Sequence, residues 1–163
     1  MRNPVKLARR PNEREIEYII IHSSGTMQGT PLTAKDIDRA HKQRGWCGIG
    51  YNFVIDLDGK VELGRSIKWQ GAHCGACGHN NDSIGICYIG GVNCEYEMCD
   101  TRTPQQKLAL EAVLQTLKAV WPDAEICGHR DIGKTACPSF NAARCYSQLN
   151  GNQKLGKADF LSV

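Results

Sequence analysis

The chain has 163 residues and a mass of 18.0 kDa, enough for one domain that buries a core without help from disulfides. Hydrophobic residues make up 41% of the chain, but no apolar run approaches the roughly 20 residues that cross a bilayer, so we expect no membrane insertion. A net charge of +3 is too small to indicate a nucleic-acid-binding protein.

Residues 1–15 are predicted to form a basic N-terminal arm that carries no signal-like apolar stretch. We therefore expect synthesis in the cytoplasm without a signal peptide. A solvated arm is the simplest interpretation, and affinity for an anionic polymer such as a bacterial cell wall is the alternative. The basic cluster in this arm consists of Lys6, Arg9, Arg10 and Arg14.

The first half of the chain predicts strands around one helix. A β-branched apolar run predicts a strand over 16–22, and Thr33 can cap a helix over 34–43. The dipeptide Asp58-Gly59 predicts a tight turn, and hence a hairpin between strands at 51–56 and 60–64.

The second half predicts a strand over 83–89 and then the clearest helix, over 104–120, with Thr103 as its cap. A short strand over 123–127 and a last helix over 140–149 follow. Strands and helices in mixed order predict one α/β domain over 16–150, a central mixed β-sheet of about five strands flanked by helices. A polar tail is expected over 151–163.

Three residues far apart in the sequence are the candidate metal ligands. His22 ends the first strand, His129 follows the strand near 123–127, and Cys137 lies eight residues further on. Two neutral imidazoles and one thiolate fill three corners of a tetrahedral zinc site and leave the fourth for water, which is typical of a catalytic zinc. The pattern predicts one Zn²⁺ and hydrolysis. A cysteine hydrolase that uses Cys137 with His129 is an alternative that leaves His22 unexplained.

Nine cysteines are too many for one metal site, and an odd number cannot all pair within the chain. Cys87 and Cys127 lie in apolar, strand-like runs and are predicted to be buried and inert. Two close pairs approach the spacing of a four-thiolate zinc site, but we favour disulfides or free thiols and assign these four no metal role. The pairs are Cys74 with Cys77 and Cys94 with Cys99.

Seven short stretches occur in an order that is specific to one family of hydrolases. They lie at 19–24, 41–55, 64–65, 71–73, 81–86, 90–91 and 128–140. Through them the chain resembles the zinc-dependent N-acetylmuramoyl-L-alanine amidases of the phage lysozyme and peptidoglycan recognition protein family. The resemblance implies that family's fold, the ligands His22, His129 and Cys137, and hydrolysis of the amide that joins muramic acid to L-alanine.

The resemblance also implies catalytic side chains around the metal. Tyr51 corresponds to the family's tyrosine beside the zinc. A second polar catalytic position lies two residues before the cysteine ligand, which places it at Thr135, with Lys134 adjacent as the alternative. These groups would stabilise the negative charge of a tetrahedral intermediate.

Two further side chains are predicted to bind substrate. His73 lies in the long loop that borders the groove in the family, and Trp46 is expected to border the cleft. The alternative for His73 is a solvated loop histidine, and the alternative for Trp46 is partly buried packing. His41 is predicted to pack near Trp46.

The resemblance predicts a monomer that binds bacterial peptidoglycan or muropeptides. The expected setting is a phage or prophage endolysin that acts on the cell wall after release from the cytoplasm. A cytoplasmic amidase that recycles muropeptides and a non-catalytic peptidoglycan-binding module are the alternatives.

Overall fold

The computed structural model describes residues 14–151, and its centre is a five-stranded sheet in the order β4-β3-β5-β1-β7. β3, β5, β1 and β7 run parallel, and β4 is antiparallel to β3. The predicted α/β architecture with a mixed sheet is confirmed. The elements are β1 (Tyr18–Ser23), β2 (Thr26–Met27), α1 (Ala34–Gln43), β3 (Phe53–Ile55), β4 (Val61–Leu63), β5 (Ser83–Tyr88), β6 (Gly91–Val92), α2 (Pro104–Val120), β7 (Glu125–Gly128), α3 (His129–Ile132) and α4 (Ala142–Cys145), followed by a 3-10 turn at Ser147–Leu149.

The two faces of the sheet bury separate apolar clusters. On one face, Ile19 and Ile21 of β1 pack with Leu110 and Leu114 of α2. The opposite face packs against α1 through Ile37 and a second set of buried residues. Because side chains alternate along a strand, His22 points to the face opposite α2. That face also receives the long loop between β4 and β5.

Local sequence signals gave the helix starts and the hairpin correctly. α1 and α2 begin at the predicted caps, and the Thr33 and Thr103 hydroxyls each accept a backbone N–H three residues on. Gly59 adopts a φ of 85° in the turn between β3 and β4, which confirms the hairpin. None of the described helices is long and apolar enough to span a bilayer.

The structure corrects two predicted elements and adds a third. The helix expected over 140–149 is only α4, because the backbone leaves helical geometry at Tyr146 and continues as a 3-10 turn. The strand expected over 123–127 begins two residues later, at Glu125. The parallel pair β2–β6 was not predicted, since strands of two residues are too short to show a periodic pattern.

Arg14 is not a solvated residue of a terminal arm. Its guanidinium donates hydrogen bonds to five backbone carbonyls of the β4–β5 loop and the start of β5. Burial lowers the pKa of Arg14, opposed by the charge of Asp82. Arg14 therefore fixes the loop to the sheet. Residues 1–13 of the predicted arm and residues 152–163 of the predicted tail lie outside the described residues.

Candidate metal centre

Two neighbouring parallel strands place the candidate histidines side by side. Ile21 of β1 pairs with Gly128 of β7. His22 follows Ile21 on β1, and His129 follows Gly128 as the first residue of α3. The chain then turns through α3 and returns Cys137, whose carbonyl accepts the N–H of Arg130 at 2.6 Å. We call these three residues the candidate metal centre: His22, His129 and Cys137.

The geometry of this centre fits a tetrahedral zinc ion. One potential ligand atom from each residue lies within 4.8 Å of the others. The distance from Cys137 Sγ to His22 Nδ1 is 3.7 Å. With Zn–N near 2.05 Å and Zn–S near 2.3 Å, two such ligands at tetrahedral angles are about 3.6 Å apart. The ligand types and the separation of Cys137 from His22 therefore both fit Zn²⁺.

The surroundings keep both imidazoles neutral, as metal ligation requires. Burial lowers the pKa of His22 well below its ordinary value, and the nearby His73 and His129 lower it further. Burial also lowers the pKa of His129. The pKa of Cys137 is raised by burial, against which the N–H and hydroxyl of Ser23 donate to its sulfur. A cation in the centre would favour the thiolate form.

His73 is buried behind His22, and its predicted contact with substrate stays a prediction. Its side chain is only 9% exposed, and its Nδ1 lies 3.0 Å from His22 Nε2. Since Nδ1 of His22 faces Cys137, the His22 proton belongs on Nε2, which donates to His73. His73 thus orients the candidate ligand, as outer-shell partners of metal-bound histidines do.

One sequence signal could have revealed this place for His73. Gly85 lies in the middle of the buried strand β5, and a glycine there indicates close approach of another group. A Cβ on Gly85 would lie 2.5 to 2.7 Å from three atoms of the His73 ring. The His73 ring therefore fits in this position only because Gly85 has no side chain.

A row of aromatic rings leads outward from His22. The Tyr51 ring lies 5.2 Å from that of His22, and the His41 ring lies 5.6 Å from Tyr51. Trp46 packs on His41 at 4.5 Å, as predicted for His41, and is 41% exposed. Burial, followed by the neighbouring Cys87 and Cys137, raises the pKa of Tyr51 well above its ordinary value. Tyr51 is therefore a neutral hydrogen-bond donor at neutral pH.

Thr135 and Lys134 both lie exposed in the loop before Cys137. The Thr135 hydroxyl accepts the backbone N–H of Cys137 at 3.1 Å. A hydroxyl that accepts one hydrogen bond still has its own proton to donate. Thr135 is thus tied to the candidate ligand loop and keeps a donor.

The two close cysteine pairs differ from one another. Cys74 and Cys77 form a disulfide, whereas Cys94 and Cys99 are free, as the preference for disulfides or free thiols over a four-thiolate site predicted. Cys87 and Cys127 are buried, which confirms their predicted burial. Cys74 and Cys77 also lie next to His129, a proximity that the sequence did not indicate.

Comparison with known proteins shows which family the chain matches. Residues 12–140 match the family model described as N-acetylmuramoyl-L-alanine amidase. The chain is 37% identical over 131 residues to the endolysin of Enterobacteria phage K11, covering 80% of this chain and 85% of the relative. The solved structure of the amidase LysC from Clostridium intestinale matches with a TM-score of 0.70 and 33% identity, covering 85% of this chain and 88% of LysC. Drosophila PGRP-LB matches with a TM-score of 0.69 and 28% identity, covering 84% of this chain and 83% of PGRP-LB.

Proposed function

Because this chain belongs to the N-acetylmuramoyl-L-alanine amidase family, we propose that it cleaves peptidoglycan with a zinc ion held by His22, His129 and Cys137. The bond cut is the amide between N-acetylmuramic acid and L-alanine. The protein acts as a phage endolysin, as the matched phage relatives are named. The observation that carries the zinc proposal is the 3.7 Å approach of Cys137 Sγ to His22 Nδ1 beside His129.

The side chains around the centre have separate tasks. The chemistry supplied by bound zinc is polarisation of the amide carbonyl and a lowered pKa for the attacking water. Tyr51 donates a hydrogen bond to the carbonyl oxygen as negative charge develops on it, because burial keeps its phenol protonated. His73 holds His22 in the tautomer that leaves Nδ1 free to bind the metal.

Thr135 is the favoured second catalytic group, and Lys134 is the alternative. The hydrogen bond from Cys137 N–H holds the Thr135 hydroxyl beside the ligand loop. Comparing Thr135→Val with Lys134→Gln separates them, since loss of the catalytic donor lowers kcat and leaves zinc content unchanged. We expect that effect in Thr135→Val. Trp46 is proposed to border the substrate cleft, because part of its ring stays exposed beyond His41.

The ligand assignment is tested by three single variants, His22→Ala, His129→Ala and Cys137→Ala. Each is expected to lose bound zinc and to release no stem peptide from purified sacculi. Zinc content measured by metal analysis and peptide release measured by chromatography give independent results. Full activity in any one variant would refute the assignment.

Two other functions are separated from this one by simple measurements. A non-catalytic binding module would sediment with sacculi without releasing peptide, although the presence of both Cys137 and Tyr51 favours the enzyme. A muropeptide-recycling amidase would prefer soluble fragments, whereas an endolysin cleaves the intact polymer. Rates on sacculi and on soluble muropeptides, measured at equal bond concentration, decide between the recycling amidase and the endolysin.

A further inference from the structure

A second group of metal-ligating side chains lies next to the candidate metal centre. Ligand atoms of Cys74, Cys77 and His129 lie within 4.8 Å of one another. We propose that reduction of the Cys74–Cys77 disulfide creates a second site for Zn²⁺, made of two thiolates and the His129 imidazole. We call these three residues the cysteine-pair site. Because His129 is common to both sets, the two sites compete for it.

The orientation of His129 supports a shared ligand. A Cβ on Gly133 would lie 3.1 Å from His129 Nε2 and 3.2 Å from Cys77 Sγ, so this edge of the ring and the Cys77 sulfur both lie against Gly133. A neutral imidazole binds a metal through one nitrogen and carries a hydrogen on the other. His129 therefore serves one ion at a time, and zinc in the cysteine-pair site withdraws a ligand from the candidate metal centre.

The cysteine spacing and the ligand types suit zinc. Cys74-Gly-Ala-Cys77 is a C-x₂-C pair, the spacing used in structural zinc sites, and its Cα atoms are 5.3 Å apart. Thiolates with imidazole form a soft ligand set that favours Zn²⁺ over Mg²⁺ or Ca²⁺. Three protein ligands leave the fourth tetrahedral position for water.

The loop holds the cysteines in place by contacts other than the disulfide. Asn80 Oδ1 accepts the backbone N–H groups of His73 and Cys74 at 2.9 and 2.8 Å. Cys74 is buried and packs with Ile20 and Cys127. Cys77 packs partly buried against the same cluster. Because these contacts do not depend on the sulfur–sulfur bond, we expect the two thiols to stay near His129 after reduction.

The redox step is ordinary thiol–disulfide exchange. A dithiol reductant breaks the Cys74–Cys77 bond, supplies two electrons and two protons, and leaves as its own disulfide. Binding of Zn²⁺ then releases the two thiol protons. A reducing compartment such as the cytoplasm favours the cysteine-pair site, and an oxidising one such as the periplasm restores the disulfide and frees His129. This coupling to catalysis rests on the proposed function; formation of the site does not.

The site is tested with Co²⁺, whose bonds to thiolates absorb in the near ultraviolet. The full-length Cys137→Ser protein is used, because it lacks the sulfur of the candidate metal centre. After reduction with a phosphine, the metal-free protein is titrated with Co²⁺ without oxygen. We expect a saturable thiolate–cobalt band that is absent before reduction and is displaced by Zn²⁺.

Matched variants in the same background identify the ligands. Cys74→Ser should abolish the band or weaken Co²⁺ binding at least about tenfold, as should His129→Ala. The control, Cys94→Ser with Cys99→Ser, removes the other close pair and should keep the band. No band in the reduced protein, or a band unchanged by Cys74→Ser, would overturn the proposed site.

The competition is tested by the amidase rate of wild-type protein with one equivalent of Zn²⁺. We expect the rate of the oxidised form to exceed that of the reduced form by about tenfold or more, the size of effect that is typical when a metal site loses a supporting contact. In the Cys74→Ser/Cys77→Ser variant the amidase rates before and after treatment with the reductant should be equal. Equal rates in wild type would overturn the competition. An inactive oxidised wild type with an intact cobalt band would count against the proposed amidase and not against the site.

Discussion

Replacing His73 should weaken zinc binding without unfolding the protein. His73→Phe removes the acceptor for His22 Nε2–H and keeps an aromatic ring between Gly71 and Gly85. Without that acceptor, His22 is free to move its proton to Nδ1, the atom that faces Cys137. In that tautomer Nδ1 cannot bind the metal.

The size of the effect follows from the buried hydrogen bond. Leaving a buried donor unpaired costs about 1–3 kcal/mol, which corresponds to about 5- to 150-fold in affinity. Loss of an outer-shell partner of a metal ligand typically weakens metal binding about 10- to 100-fold. We therefore expect the zinc dissociation constant of His73→Phe to rise by about 10- to 100-fold.

Competition with a chromophoric chelator measures that dissociation constant directly. His73→Asn is the rescue variant, since its Oδ1 can accept the same hydrogen bond, and its affinity should lie closer to wild type. The control is His79→Gln in the same loop, whose native side chain pairs with Asp82 at 3.0 Å. A dissociation constant for His73→Phe within about twofold of wild type, in protein that unfolds normally, would show that His73 does not support the metal site.

Three further predictions concern stability. Burial lowers the pKa of His73 from 6.5 to about 3, so the unfolded chain binds more protons than the folded one between those pH values. The free energy of unfolding of the metal-free protein should therefore fall as the pH drops below 6.5, and it should fall less in His73→Asn. Urea titrations at several pH values measure both. Gly85→Ala places a methyl 2.5 to 2.7 Å from the His73 ring and should lower the free energy of unfolding by about 1–3 kcal/mol in the same assay. Gly75→Ala, where the nearest neighbouring atom is 3.5 Å away, should lower it little. Equal effects of the two substitutions would contradict the close packing. Arg14→Ala removes the donor to five carbonyls and should destabilise by about 2 kcal/mol or more, with only partial recovery in Arg14→Lys; an unchanged urea midpoint would mean that these bonds add no net stability.

The helices and the hairpin could be predicted because their signals are local. Thr33 and Asp36 cap each other within one turn of α1, and Thr103 and Gln106 do the same for α2. Asp58-Gly59 supplies the backbone angles of its own turn. The interactions that decide these features join residues only a few positions apart. The last helix was predicted too long: the backbone leaves helical geometry at Tyr146, a residue buried in the core.

The residue types of the candidate centre were also readable from the sequence. Two histidines that each follow an apolar run, with a cysteine eight residues after the second, predict a zinc ligand set on chemical grounds. Their convergence, however, depends on β1 lying next to β7. The Ser23–Cys137 contact joins residues 114 positions apart, and strand order is what brings such positions together.

Only the tertiary structure decided the places of His73 and the Cys74–Cys77 pair. In the sequence, His73 is one polar residue in a long loop; in the fold it lies behind His22, 51 positions away. Arg14, Asn80 and the absent side chain of Gly85 hold the loop in that position. Such contacts form across the chain by packing and hydrogen bonding between separate elements. The candidate ligands could be named from the sequence, whereas a glycine in a buried strand signals only that some group approaches it and does not say which one.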